Sequence, residues 1–119
     1  MCAFTLALFQ SACGTNCLAL AADYANELPN ALSCDPTSSA DQCRDSINVV
    51  FYQESPAGRD SLQGLGSCLH SANPQRDMRL KEIFSEYQRG GCQIRAAYLC
   101  PRVENRCYVG SEGKGKCYL

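Results

Sequence analysis

Cysteine is the residue type with the most chemical potential in this chain, since 10 of the 119 residues are cysteines. Their even number and their spread along the chain suit a fully paired disulfide framework. Thiols also bind zinc, but structural zinc sites usually use Cys-x2-Cys pairs or cysteine with histidine. The sequence has no Cys-x2-Cys pair and a single histidine. We therefore expect no metal and no cofactor, and up to five disulfides among Cys2, Cys13, Cys17, Cys34, Cys43, Cys68, Cys92, Cys100, Cys107 and Cys117.

The expected disulfides require an oxidising compartment, so we predict a secreted or extracellular protein. A disulfide typically contributes about 2–4 kcal/mol of stability, mainly by restricting the unfolded chain. No apolar run approaches the ~20 residues of a transmembrane helix. The apolar run Ala3–Phe9 follows no basic region, and cleavage after Ala22 would leave an odd number of cysteines. We interpret Met1 as an expression start and the rest as the mature chain.

Catalysis by a serine or cysteine nucleophile needs a neighbouring base, and His70 is the only histidine. The segment Cys68-Leu69-His70-Ser71 lacks the paired cysteines and the adjacent aspartate of secreted phospholipases. We therefore expect no enzymatic activity. We interpret His70 as a surface residue near a helix end, where it can meet free carbonyl groups.

Charge is spread unevenly, although the net charge is only −1. Residues 1–60 carry seven acids and two bases, and residues 61–119 carry five acids and nine bases. Such polarity can steer a charged partner, although basic side chains can also simply cover solvated helix faces. Few aromatic residues are present to stack on bases, so we expect no nucleic acid partner. The predicted binding residues are Arg76, Arg79, Arg89, Arg95, Arg102 and Arg106.

The elements that must position these residues are predicted to be helices. Apolar residues three and four apart predict a first helix over Cys2–Ala12 and a second over Cys17–Leu28. Thr15 or Asn16 can cap the second helix, and Pro29 is expected to end it. The short hinge between the two helices suggests a helical hairpin.

The middle of the chain predicts two further helices. Ser39 can cap a third helix over Ala40–Tyr52. The β-branched run within it makes a strand over Ile47–Gln53 the alternative. A short fourth helix is expected through Leu62–Leu69, although two glycines weaken it.

The fifth predicted helix runs from Gln75 or Arg76 to Arg89 and has the clearest amphipathic pattern. A sixth, short helix is expected over Cys92–Cys100. Beyond it, Cys107–Val109 is expected to be extended. We interpret Gly110–Lys116 as an inert glycine-rich loop, because no strand–loop–helix context for phosphate binding surrounds it.

The expected fold is therefore all-α: five or six short helices in a disulfide-stapled bundle with an irregular C-terminal tail. We predict one domain over residues 1–119, with a helical core over 1–101 and a stapled tail over 102–119. The pairing of the cysteines cannot be deduced, because ten of them allow 945 connectivities.

The order of features over residues 2–92 resembles the cysteine-rich helical domain of the GDNF receptor alpha and growth-arrest-specific type. That family usually shows Cys-x-Cys where this chain has only Cys68. The resemblance implies ligand or co-receptor binding outside the cell through helix faces, without catalysis. The corresponding features are Cys2, Cys13, Cys17, Cys34, Cys43–Ile47, Pro56–Leu62, Cys68 and Leu80–Phe84 leading to Cys92.

We thus predict a non-catalytic extracellular domain that binds another extracellular or cell-surface protein. The alternative is a small secreted effector, such as a toxin, pheromone or host-directed factor, that acts on a membrane receptor or channel. Both suit a compact disulfide-rich chain, and the sequence does not choose between them.

Overall fold

The computed structural model describes residues 16–38, 41–54, 60–96, 99–110 and 112–117, which form two helices and two three-stranded sheets. The all-α prediction is therefore wrong, and the fold combines helices with sheets. The predicted helix over Cys2–Ala12 lies outside the described residues. The elements are α1 (Cys17–Leu32), β1 (Ser33–Cys34), β2 (Asp45–Glu54), β3 (Asp60–Ala72), α2 (Met78–Arg89), β4 (Ile94–Arg95), β5 (Cys107–Val109) and β6 (Gly115–Cys117).

Helix α1 confirms the second predicted helix, including its start. The Asn16 side chain caps it by accepting a 3.0 Å hydrogen bond from the Ala19 backbone N–H. The expected end at Pro29 is wrong, because the helix continues to Leu32. Proline removes one backbone donor, and burial of Ala31 and Leu32 in the core holds the last turn in place.

Strands β2 and β3 form a long antiparallel hairpin where two helices were expected, over Ala40–Tyr52 and Leu62–Leu69. The alternative strand over Ile47–Gln53 is confirmed. Consecutive β-branched residues favour the extended backbone. In β3, Gly64 has φ of +134°, a conformation that α-helical residues do not adopt.

Helix α2 confirms the fifth predicted helix and its buried face, with Leu80, Ile83 and Tyr87 in the core. It begins at Met78, later than expected, because Arg76 still belongs to the preceding turn. The Arg76 backbone N–H donates to the Asn73 carbonyl at 2.9 Å. Helix α1 packs against β3 and against α2. Helix α2 reaches the sheet through Tyr87, whose hydroxyl accepts from the Leu65 backbone N–H at 3.4 Å.

The predicted sixth helix over Cys92–Cys100 is wrong. In its place β4 pairs in parallel with Leu65–Gly66 of β3. A turn at Gly91, with φ of +73°, redirects the chain after α2. The Tyr87 hydroxyl then donates to the Gln93 carbonyl at 2.7 Å and holds the chain extended beside β3.

The C-terminal residues form a second sheet with strand order β1-β6-β5, so the tail is not irregular. The predicted extended piece Cys107–Val109 is confirmed as β5. Gly110 N–H donates to the Lys114 carbonyl at 2.7 Å and closes the turn between β5 and β6. Gly113 adopts φ of +79° there, which favours glycine.

Four disulfides hold the described part of the chain together, and none of its cysteines is free. Cys2 and Cys13 lie outside the described residues. Cys43 and Cys117 are buried in the core, next to the residues that α1, β3 and α2 contribute. The pairs are Cys17–Cys92, Cys34–Cys107, Cys43–Cys117 and Cys68–Cys100.

Candidate binding groove

Three neighbouring grooves meet at Arg76, which lines all of them. The largest, of about 790 Å³, runs between the C-terminal half of α1 and the β5–β6 hairpin. The others, of about 400 and 340 Å³, follow the segment after β1 and the start of α2. We call this continuous surface the Arg76 groove, defined by Arg76, Lys114, Lys116, Leu28 and Leu32.

One wall of the Arg76 groove is the apolar end of α1. Leu28 and Leu32 are four residues apart and therefore lie on the same face of the helix. Ala25 and Pro29 extend this apolar surface. Leu32 is 5% exposed and belongs to the core, so the wall is continuous with the packed interior.

The opposite wall is the β5–β6 hairpin. Lys114 and Lys116 flank Gly115, and because side chains alternate along an extended chain, both lysines line the groove. A side chain at Gly115 would overlap the Cys34 carbonyl oxygen, and its Cβ would lie 2.8 Å from Cys107 Sγ. Only glycine allows this close approach, which brings the hairpin against the end of α1.

The turn that carries Arg76 is fixed by Asn73, which is 3% exposed. Asn73 Nδ2 donates to the Ser33 carbonyl at 2.9 Å, and Asn73 Oδ1 accepts from the Gln75 backbone N–H at 3.0 Å. The Asn73 backbone N–H also donates to the Ala31 carbonyl at 2.9 Å. Asn73 therefore ties this turn to the end of α1 and positions Arg76 at the groove.

The cations of the Arg76 groove are unpaired. Within the described part of the chain, no carboxylate lies within 4.0 Å of the Arg76, Lys114 or Lys116 side chains. Glu112 also lines the largest groove. The groove thus combines three exposed, unpaired positive charges with two acids, Glu112 and Asp35, and an apolar wall.

Two of the six arginines predicted to bind a partner lie in the Arg76 groove. Arg76 lines all three of its parts, and Arg79 lines one of them and pairs with Glu82 at 3.1 Å. Arg89 lines a separate groove of about 450 Å³ at the other end of α2. The structure therefore does not gather the six arginines in one groove.

The remaining predicted arginines, Arg95, Arg102 and Arg106, are exposed and line neither the Arg76 groove nor the groove at Arg89. Arg95 lies on β4 rather than on a sixth helix. Sequence reasoning missed Lys114 and Lys116 because it assigned them to an inert loop. Their alternation about Gly115 next to Cys117 was the available signal for a strand.

His70 is buried on β3, so its predicted surface position near a helix end is wrong. Its Nδ1 lies 2.8 Å from the Ser71 carbonyl oxygen, which can only accept, and Nδ1 therefore carries the proton. Burial lowers the pKa of His70 and favours the neutral ring.

Two aspartates, buried Asp77 and partly exposed Asp45, lie close to Lys81. Asp77 follows Arg76, is fully buried, and neither of its carboxylate oxygens has a hydrogen-bond partner in the described structure. Burial, together with neighbouring Asp45, raises the pKa of Asp77 to about 6. Lys81 Nζ lies 2.6 Å from Asp45 and 3.8 Å from Asp77. When protonated, Asp77 can donate to Asp45.

Comparisons with known proteins identify no relative: no family model, no curated protein and no solved structure matches this chain. The resemblance to the GDNF receptor alpha type of domain stays a prediction. Neither helix in the described part of the chain combines the length and apolar character that crossing a bilayer requires.

Proposed function

We propose that this protein is a non-catalytic, secreted binding domain whose Arg76 groove receives part of another extracellular or cell-surface protein. The observation that carries the proposal is the set of three unpaired cations, Arg76, Lys114 and Lys116, beside an apolar wall. Exposed charges with no partner of their own are free to meet a partner's charges, and an adjoining apolar surface supplies burial.

The frame around the groove supports this proposal. The Cys34–Cys107 and Cys43–Cys117 disulfides fix the β5–β6 hairpin to the segments that follow α1. Disulfides persist in oxidising compartments, which suits action outside the cell. A surface that is already ordered loses less conformational entropy when a partner binds, so a rigid groove gains affinity.

The groups available for acid–base chemistry support a non-catalytic role. His70 is buried, does not line the Arg76 groove, and has its Nδ1 proton held by a backbone carbonyl. Ser33 lines the groove, but its hydroxyl donates to the Asn30 carbonyl at 2.7 Å instead of meeting a base. Nucleophilic catalysis needs a nucleophile and a base within hydrogen-bonding distance.

The test is partner binding by charge-reversed variants. A partner would be captured with the tagged protein on intact cells or from extracellular fluid, identified by mass spectrometry, purified and titrated by calorimetry. We expect the double variant Arg76→Glu/Lys114→Glu to bind the purified partner at least about tenfold more weakly than the wild type, because the charges then repel.

The matched control is Arg102→Glu, which reverses an exposed arginine outside the groove. We expect it to bind like the wild type. If the double variant and Arg102→Glu bind the purified partner equally well, the Arg76 groove is not the binding surface. If Arg102→Glu alone loses binding, the surface lies near Arg102, and the groove proposal is also wrong.

A further inference from the structure

We infer that the Arg76 groove recognises an extended segment of its partner in which an apolar side chain is flanked by acidic side chains. This inference rests on the proposed function, because it names the chemistry of the protein segment that the groove would bind. It is carried by the placement of Leu28 and Leu32 on one wall and of Arg76, Lys114 and Lys116 around them.

The apolar wall separates peptide ligands from other polyanions. The α1 side of the groove is mainly apolar, with Asn30 as the polar side chain among Ala25, Leu28, Pro29 and Leu32. A sulfated polysaccharide carries negative charge but no large apolar side chain to cover this surface. A polypeptide that alternates apolar and acidic residues satisfies both parts of the groove.

The cations lie on two separate elements. Arg76 comes from the turn before α2, whereas Lys114 and Lys116 come from the β5–β6 hairpin. A guanidinium group can bind a carboxylate through two parallel hydrogen bonds, while an ammonium group acts as a compact point charge. Acidic residues on both sides of one apolar residue can therefore be held at once.

The shape of the groove favours an extended segment over a compact ligand. The part beside α1 has about 790 Å³ and continues at Arg76 into two further parts. An extended chain advances about 3.3 Å per residue and points alternate side chains to opposite faces. Several consecutive residues can thus follow the groove while every second side chain enters it.

A second copy of the chain is the competing occupant, because residues 1–60 carry seven acids against two bases. Charge complementarity alone would allow this half to meet the Arg76 groove of another molecule. A separate acidic–apolar partner segment is favoured because several acids of residues 1–60 already have partners within the chain. Asp45 pairs with Lys81, and Asp35 and Glu27 accept hydrogen bonds from Thr37 and Asn30. Sedimentation velocity over a range of protein concentrations distinguishes the two occupants.

The experiment uses fluorescent synthetic peptides of equal length and measures binding by anisotropy. The first peptide has leucines flanked by glutamates, the second replaces the leucines by serine, and the third replaces the glutamates by lysine. A sulfated oligosaccharide of matching charge is the fourth probe. We expect the first peptide to bind at least about tenfold more tightly than each of the others, and its affinity to fall with added salt.

Variants assign this binding to the groove. We expect Leu28→Ser to weaken binding of the first peptide but not of the second. Circular dichroism checks that this variant is folded. Arg76→Glu/Lys114→Glu should lose affinity for the first peptide and gain affinity for the lysine peptide. This exchange of preference cannot arise from misfolding. Arg102→Glu should leave all four affinities unchanged.

Three results would overturn the inference. The first is equal affinity for the oligosaccharide and the acidic–apolar peptide, and the second is a concentration-dependent dimer that Arg76→Glu/Lys114→Glu abolishes. The third is no binding of any peptide, although a purified partner still binds in a manner sensitive to Arg76→Glu/Lys114→Glu. In that third case the proposed function stands while the ligand chemistry inferred here is wrong.

Discussion

Arg76 and Asp77 are neighbours in the chain, yet their charged groups lie in opposite environments. Arg76 is exposed and unpaired in the groove, whereas Asp77 is fully buried beside Asp45 and Lys81. An exposed charge remains solvated and costs the fold little, so it is available to a ligand. A buried charge loses its hydration, so its state of protonation affects the stability of the fold. The comparison predicts that groove variants alter binding and that variants of Asp77 alter stability.

The largest effect is expected where both regions share a support. Asn73→Ala removes two side-chain hydrogen bonds, to Ser33 and Gln75, and leaves their backbone groups unsatisfied next to the buried Asp77. We expect the free energy of unfolding to fall by about 3 kcal/mol. Affinity for the acidic–apolar peptide should fall as well, because the turn that positions Arg76 is released.

Urea unfolding and peptide anisotropy on the same samples measure both effects of Asn73→Ala. The control is Gln88→Ala, an exposed position on α2 that does not line the Arg76 groove, and it should change neither quantity appreciably. If Asn73→Ala lowered only the peptide affinity, or only the free energy of unfolding, the two regions would not share this support.

The next effect concerns the buried Asp77 alone. The pKa of Asp77 is about 6 in the fold against 3.8 for the free side chain. Because the folded pKa is the higher one, Asp77 stabilises the fold as pH falls through about 6, and the gain is complete below 3.8. At pH 7 the buried charge is a cost. We therefore expect Asp77→Asn to raise the free energy of unfolding at pH 7 by about 1–2 kcal/mol.

The pH dependence of that difference is the decisive measurement. At pH 5 the wild-type Asp77 is mostly protonated, so the advantage of Asp77→Asn should largely disappear. The pKa of Asp45 is lowered by its hydrogen bonds with Lys81 and Asp77, so Asp45 stays ionised at both pH values. The pKa of His70 is lowered by burial, and His70 is present in both proteins. A stability difference that is the same at pH 5 and pH 7 would contradict this account.

The smallest effect on stability is expected in the groove. Arg76→Glu/Lys114→Glu changes two exposed side chains without ion pairs in the described structure. The free energy of unfolding should therefore change by less than about 0.5 kcal/mol. The same variant is expected to lose peptide affinity. Urea unfolding beside anisotropy tests this separation, and a large loss of stability would show that these charges hold the fold.

The sequence predicted both helices of the described structure because their apolar residues recur at helical spacing. It failed in β3 because Leu62, Leu65 and Leu69 have that same spacing. In the structure Leu65 is buried and Leu69 is 42% exposed, and the pairing with β2 shifts between them. A register shift exchanges the faces of a strand, and periodicity cannot anticipate it.

The candidate site was predictable only in part. Arg76 and Arg79 stood out as basic residues at the start of an amphipathic helix, but Lys114 and Lys116 did not. Their place in the groove depends on Cys107 and Cys117 pairing with Cys34 and Cys43, one pattern among many that the cysteines allow. Asp77 likewise fell inside the fifth predicted helix, whereas in the structure it precedes α2 and its side chain is buried without capping the helix.

Of the four disulfides in the described part of the chain, three have nearly the same sequence separation and join residues 75, 73 and 74 positions apart. Each links a residue between Cys17 and Cys43 to one between Cys92 and Cys117. A protease that severs one peptide bond between Cys43 and Cys92 therefore leaves two fragments tied by at least three covalent links, and Cys68–Cys100 adds a fourth when the cut follows Cys68. Since α1 and the β5–β6 hairpin lie on opposite sides of any such cut, a nicked molecule keeps both walls tethered until a reductant separates them.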